Sequence, residues 1–210
     1  MTLATLSEDL DCAPLRAALQ PFGVRIGARR IRAGDDTAFV GAPDANVAGR
    51  RASGAARIVA RRLLAELGSD GAAALVRLPS GAPQWPARLV GSLAHDNAFA
   101  VAAAAWAWPI SGLGVDIEPA EPLPDDIVDL VLTREEARET AGDGIARRLV
   151  FAVKEAVYKA VFPLDGSAPD YHDIRASLAD GVATLIDGRR LRLCALEGRR
   201  LIAAALAEGL

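Results

Sequence analysis

Cysteine, histidine and long uninterrupted apolar runs are all scarce in this chain of 210 residues. Cys12 and Cys194 are its only cysteines, far apart and without neighbours at metal-ligand spacing. That excludes a disulfide framework and a cysteine–zinc cluster, and it fits a reducing cytoplasm. The first nine residues carry no basic segment and reach Glu8 and Asp9 early, so no secretory leader is expected. One apolar stretch, 98–115, approaches the ~20 residues that span a bilayer. Pro109, Ser111, Gly112 and Gly114 interrupt it and no cations flank it, so it reads as two buried strands with a turn and no membrane span. An excess of positive charge is missing too. The net charge is −3 and the pI about 5.5, which excludes nonspecific nucleic-acid binding as the main activity.

What the chain does contain is core material and an uneven charge distribution. Hydrophobic residues make up 51% of it and the mean hydropathy is +0.20, so a folded core is expected and disorder is not. Arg29, Arg30, Arg32, Arg50, Arg51, Arg57, Arg61 and Arg62 lie in the first third, whereas the middle is acidic. An arginine-rich lobe facing an acidic one suits a polyanionic ligand held between them.

The pattern predicts a helix over 12–22 with Asp11 as its cap, then strands over 24–31 and 38–40 and a loop over 43–51. A second helix is expected over 52–67, capped by Ser53 and ended by Gly68. A strand over 75–78 leads to the proline-punctuated loop 79–86, which presents Trp85. Residues 89–95 read as a strand, 98–105 as a strand or helix, 106–113 as a linker and 114–118 as a strand. Thr133-Arg-Glu-Glu136 has the form of a capping box. A long helix follows over 145–162, stopped by Pro163, and then a meander whose Asp187-Gly188 marks a hairpin. The fold class is α+β, with two similar-sized pseudo-symmetric lobes over 1–109 and 110–210, each an antiparallel sheet packed with helices.

Chemistry is concentrated in two segments. In Gly114-Val-Asp116-Ile-Glu118 a strand places both carboxylates on one face, where their repulsion is relieved by a cation between them. Hard oxygen ligands of this kind suit Mg²⁺. Taken alone, Asp-x-Glu also describes a solvated edge strand. In Phe151-Ala-Val-Lys154-Glu155-Ala-Val-Tyr158-Lys159-Ala160, Glu155 and Lys159 stand at i and i+4, the spacing of an ordinary surface ion pair. The helix is nevertheless apolar nearly all round, and buried charges need partners. A third carboxylate beside Asp116 and Glu118 would complete a metal site. His95 ends an apolar strand, a place where a histidine is commonly structural.

With Arg57-Ile-Val-Ala-Arg61-Arg62, Gly81-Ala-Pro83-Gln-Trp85-Pro86 and Gly91-Ser92-Leu-Ala-His95 added, the ordered set resembles the 4′-phosphopantetheinyl transferases of the Sfp and enterobactin-synthetase type, actinobacterial branch. The resemblance spans roughly 50–164. It implies an enzyme that moves the 4′-phosphopantetheine arm of coenzyme A onto a serine of an apo acyl or peptidyl carrier protein, releasing 3′,5′-ADP. By the same resemblance Asp116, Glu118 and Glu155 hold Mg²⁺ (or Mn²⁺), and Glu155, Lys159 and Asp116 are the catalytic set. Glu155 is then the general base, while Arg50, Arg57, His95, Lys154 and Lys159 contact coenzyme A phosphates. The enzyme is expected to be a cytoplasmic monomer. Ala94 and Ser80 depart from the family pattern, which has a hydroxyl and often a basic residue there. The alternative is a non-catalytic coenzyme A or carrier-protein binding module on the same scaffold.

Overall fold

The computed structural model describes residues 10–40, 46–69 and 75–209. The first sheet and its helices comprise α1 (Ala13–Leu19), β1 (Arg25–Arg30), α2 (Val47–Glu66), β2 (Leu89–His95) and β3 (Phe99–Trp106). The second group comprises β4 (Ile110–Pro119), α3 (Asp125–Val131), α4 (Arg134–Glu139), α5 (Gly144–Asp165), β5 (Ile174–Ser177), β6 (Val182–Leu185), β7 (Arg190–Leu196) and β8 (Arg200–Glu208). The sheets run β1-β3-β2 and β4-β8-β7-β6-β5, and every recorded pairing is antiparallel. The class is α+β, with three strands in one sheet and five in the other.

Alternation along β3 explains the layering. Its even residues Ala102 and Ala104 pack under Val59, Ala60, Leu63 and Leu64 of α2. Its odd residues Val101, Ala103 and Ala105 meet Leu113, Val115 and Ile117 of β4 and the even face of β8. On the far side, Ala203 and Ala205 of β8 pack against Val153, Ala156 and Val157 of α5. The layers therefore run helix, sheet, sheet, helix. Alanine-rich inner strands have little side-chain bulk, so the layers close tightly around a strand buried on both faces.

Several elements differ from the sequence expectation. α2 starts at Val47 because the Asn46 side chain accepts a 2.7 Å hydrogen bond from Gly49 N and caps it. The Ser53 hydroxyl, expected in that role, accepts instead from Arg57 Nη1. α5 runs through Pro163, which sits in the last turn, and ends at Gly166. There the left-handed φ of 73° suits glycine, and the Gly166 N–H closes onto Phe162 O at 2.9 Å. Residues 38–40 form no strand; a short 3₁₀ turn covers Asp35–Ala38. Residues 75–78 make only an isolated bridge, Arg77 to Pro83. The expected linker over 106–113 is a tight turn, with the Trp108–Pro109 bond cis, that feeds directly into β4. β5 lies where no strand was expected. The start of the loop expected over 43–51 lies outside the described residues.

Candidate active site

The even positions of β4 are Gly112, Gly114, Asp116 and Glu118, and they share one face. A Cβ at residue 114 would stand 1.8 Å from Ala156 O, and one at 112 would stand 2.4 Å from Ala160 O. Only glycine lets strand and helix backbones touch there. That contact sets the depth of α5 on the sheet and brings its next side chains against the two carboxylates. Lys159 Nζ lies 2.6 Å from Asp116 Oδ1 as a result.

Asp116 is 6% exposed. Its Oδ1 is paired with Lys159, and its Oδ2 is buried with no hydrogen-bond partner. Burial pushes this carboxyl up to about 6; Lys159 opposes the shift, while the charges of Glu118 and Glu155 add to it. Glu118 accepts from Arg148 Nη1 at 2.8 Å, and the same guanidinium donates to Glu121 O at 2.8 Å and Pro122 O at 2.9 Å. It thereby ties the acidic loop to the site. Glu155 Oε1 accepts a hydrogen bond from the Tyr171 hydroxyl. Each carboxylate thus has its own holder. Among the described residues no three His, Cys, Asp or Glu side chains form a metal-ligating group.

Sequence reasoning overlooked Arg148 and Tyr171. Arg148 was legible, since it precedes Glu155 by seven residues, two helical turns, and so shares its face. Tyr171 returns from beyond the helix end, and no spacing rule announces it.

The first lobe contributes a polar cavity of about 420 Å³, whose lining includes His95, Asp96, Asn97, Arg32, Gly49 and Arg51. Desolvation and then the charge of Lys159 push the His95 imidazole below its ordinary value, so histidine and lysine share one electrostatic neighbourhood across the lobes. Asp96 reinforces that junction through an ion pair with Arg200. Arg50 sits half-buried in the first turn of α2, and the neighbouring Arg51 and Gly49 line the cavity. A second cavity of about 560 Å³ has Trp85, Gly91, Lys159, Tyr158 and Phe162 in its walls. Trp85 is packed over Gly91, where a Cβ would lie 2.5 Å from its ring. Ser80 lines this cavity, and Ala94 is buried in the apolar layer between the sheets.

Two expected phosphate contacts need correction. Arg57 is 3% exposed, and its guanidinium donates to Leu75 O at 2.9 Å and to the Ser53 carbonyl and hydroxyl. It lines neither cavity and is occupied in holding α2 to the following segment. Lys154 is fully buried. Its ammonium pairs with Glu136 at 2.7 Å and donates to Val131 O and Tyr171 O, both at 2.8 Å. Three donors meet three acceptors, leaving none for a phosphate. Burial pushes the amine below its ordinary value and Glu136 opposes that shift.

Comparison with known proteins gives consistent matches. Residues 39–105 match the 4′-phosphopantetheinyl transferase N-terminal domain, and 112–204 match the 4′-phosphopantetheinyl transferase superfamily. The chain is 34% identical to the 4′-phosphopantetheinyl transferase Svp of Streptomyces mobaraensis, over 72% of this chain and 70% of that one. It is 40% identical to Npt of Nocardia iowensis over 52% of this chain and 50% of the relative. Identity to PptT of Mycobacterium tuberculosis is 33%, over 51% and 49% of the two chains.

Proposed function

The chain belongs to the 4′-phosphopantetheinyl transferase family, and we propose that its own cleft transfers the 4′-phosphopantetheine arm of coenzyme A to a carrier-protein serine, releasing 3′,5′-ADP. The observation that carries the mechanism is the buried, partnerless Oδ2 of Asp116, set among the charges of Glu118 and Glu155. An anionic cluster with an open oxygen lone pair fits a hard divalent cation. Asp116, Glu118 and Glu155, which are not gathered into a ligating group here, would have to draw together to hold it, as Mg²⁺ or Mn²⁺. When bound, such an ion neutralises charge on the pyrophosphate and stabilises the departing diphosphate oxygen.

The remaining work belongs to side chains. Lys159, partly exposed and paired with Asp116, is the lysine with access to ligand and would bind a pyrophosphate oxygen. His95, with the neighbouring arginine side of the polar cavity, binds a phosphate of the nucleotide half. Arg50 belongs to that same helix end. Glu155 accepts the proton of the attacking serine hydroxyl, whose oxygen forms the new bond to phosphorus as the 3′,5′-ADP oxygen departs. His95 of the first lobe and Asp116, Glu118 and Glu155 of the second come from one chain, which supports action as a monomer. No helix among the described residues is long and apolar enough to cross a membrane. Both cysteines are free, which supports a cytoplasmic setting.

Incubating the protein with an apo carrier protein, fluorescent coenzyme A and Mg²⁺ tests this. Label is expected on the carrier serine, and a panel of apo carriers that stays unlabelled would overturn the reading. Ligand-induced thermal stabilisation without transfer would favour the binding-module alternative.

A further inference from the structure

The dipeptide Lys154-Glu155 makes two contacts with one residue from opposite sides. The Tyr171 hydroxyl donates to Glu155 Oε1, while the Tyr171 backbone carbonyl accepts from Lys154 Nζ at 2.8 Å. Neighbouring residues on a helix project about 100° apart, so Lys154 enters the core while Glu155 faces the cleft. The segment after α5 reverses at Gly166 and returns across both. A capping box between Asp170 and Asp173 sets its 3₁₀ turn. The Tyr171 ring rests on Phe151, one turn before Glu155, with centroids 5.8 Å apart. Glu136 binds Lys154 and also accepts from Thr133 N at 2.8 Å and Ala176 N at 2.7 Å. One buried carboxylate therefore joins the start of α4, the middle of α5 and β5, on either side of the returning segment.

We propose that Tyr171 is a positioning residue for Glu155, and that the buried Lys154–Glu136 pair holds Tyr171 in register. The inference rests on the role given to Glu155 above. A glutamate has several rotatable bonds, and its carboxylate serves as base only when held at one place. The hydroxyl of Tyr171 fixes Oε1 and leaves Oε2 for a metal ion or the serine proton. The two halves of the dipeptide divide the work: lysine anchors the strap, and the strap orients the glutamate.

The test uses the full chain, one apo carrier and saturating coenzyme A with Mg²⁺. Tyr171→Phe removes one hydroxyl and leaves the packing, so its melting temperature should stay within about 2 °C of wild type. Its kcat should fall about tenfold, with KM for coenzyme A changed less than about twofold. In the metal-free protein, ¹³C relaxation of the Glu155 side chain should show a rigid carboxylate in wild type and a mobile one in Tyr171→Phe. The double variant Lys154→Met/Glu136→Gln removes both buried charges together, avoiding an orphaned ion. It should lower kcat by itself, and adding Tyr171→Phe should cost less than about twofold more, because both act through one contact. An active wild type with unchanged kcat and an unchanged, rigid Glu155 in Tyr171→Phe would overturn the positioning role. Fully multiplicative effects would overturn the anchoring role of Lys154. A wild type that transfers nothing would overturn the functional reading, and this inference with it.

Discussion

The chain has two lysines, five residues apart on one helix, and each is paired with a carboxylate. Lys154 and Glu136 are 0% and 1% exposed, and their polar atoms are saturated by four backbone groups, Val131 O, Tyr171 O, Thr133 N and Ala176 N. Lys159 is 28% exposed and meets an aspartate with one oxygen still lacking a partner. The first pair is closed, and nothing remains on it for a ligand to bind. The second is open, and its lysine can exchange a carboxylate for a phosphate without leaving a core. Unmet hydrogen-bonding capacity, rather than charge or residue type, separates the proposed working face of α5 from its structural face.

The largest expected effect falls on the open face. Glu155→Gln should lower carrier labelling by about 10³-fold or more while the melting temperature holds, because the amide can neither take the serine proton nor ligate a cation. Labelling within tenfold of wild type would remove Glu155 from the mechanism. On the closed face, Lys154→Met strands the Glu136 carboxylate in the core. It should cost about 3–5 kcal/mol of stability, a drop on the order of 10 °C in a thermal melt. A melt unchanged by that substitution would erase the contrast between the pairs.

Lys159→Met should do the reverse. Its stability should change by about 1–2 kcal/mol, less than for Lys154→Met, because Lys159 is partly exposed and the stranded Asp116 can take up a proton. Its kcat/KM for coenzyme A should fall about 10²-fold, as when one preorganised donor to developing charge is lost. A stability loss larger than that of Lys154→Met would invert the assignment.

The smallest effect is a pH dependence without divalent ions. Folded Asp116 keeps its proton to about pH 6, whereas an unfolded aspartate loses it near about 3.9. Between those values the native state binds more protons, so the contribution of this carboxyl to stability declines as pH rises. Asp116→Asn has nothing to ionise. Its stability relative to wild type should therefore grow from pH 4 to 6 and level off at about 1–2 kcal/mol, once the loss of the Lys159 partner is discounted. Denaturant titrations at several pH values read this directly, and a gap that narrows with rising pH would contradict the account.

The contrast between the two pairs was only half legible in the sequence. Period-2 and period-3.6 patterns placed Asp116, Glu118, Glu155 and Lys159 on the right elements and faces, and the α+β class followed from the same patterns. They could not distinguish Lys154 from Lys159. Both stand beside Glu155 on a helix apolar nearly all round, and what decides between them is Glu136, Val131 and Tyr171, which arrive from other elements. Arg57 was misread for the same reason: its acceptors are the Leu75 carbonyl and its own helix. Helix ends failed where a competing group won, as with Asn46 over Ser53 and Gly166 over Pro163. Local patterns carry element type and facing, and tertiary partners determine which charged group is left open.

A structure of the protein with coenzyme A and Mg²⁺ tests the division of α5 most directly. The expected result is a cation on Asp116 Oδ2, Glu118 and Glu155, Lys159 Nζ moved to a pyrophosphate oxygen, and Lys154 Nζ still on Glu136, Val131 O and Tyr171 O. A structure with Lys154 on a phosphate, or with Lys159 still bound to Asp116 and the cation elsewhere, would contradict it.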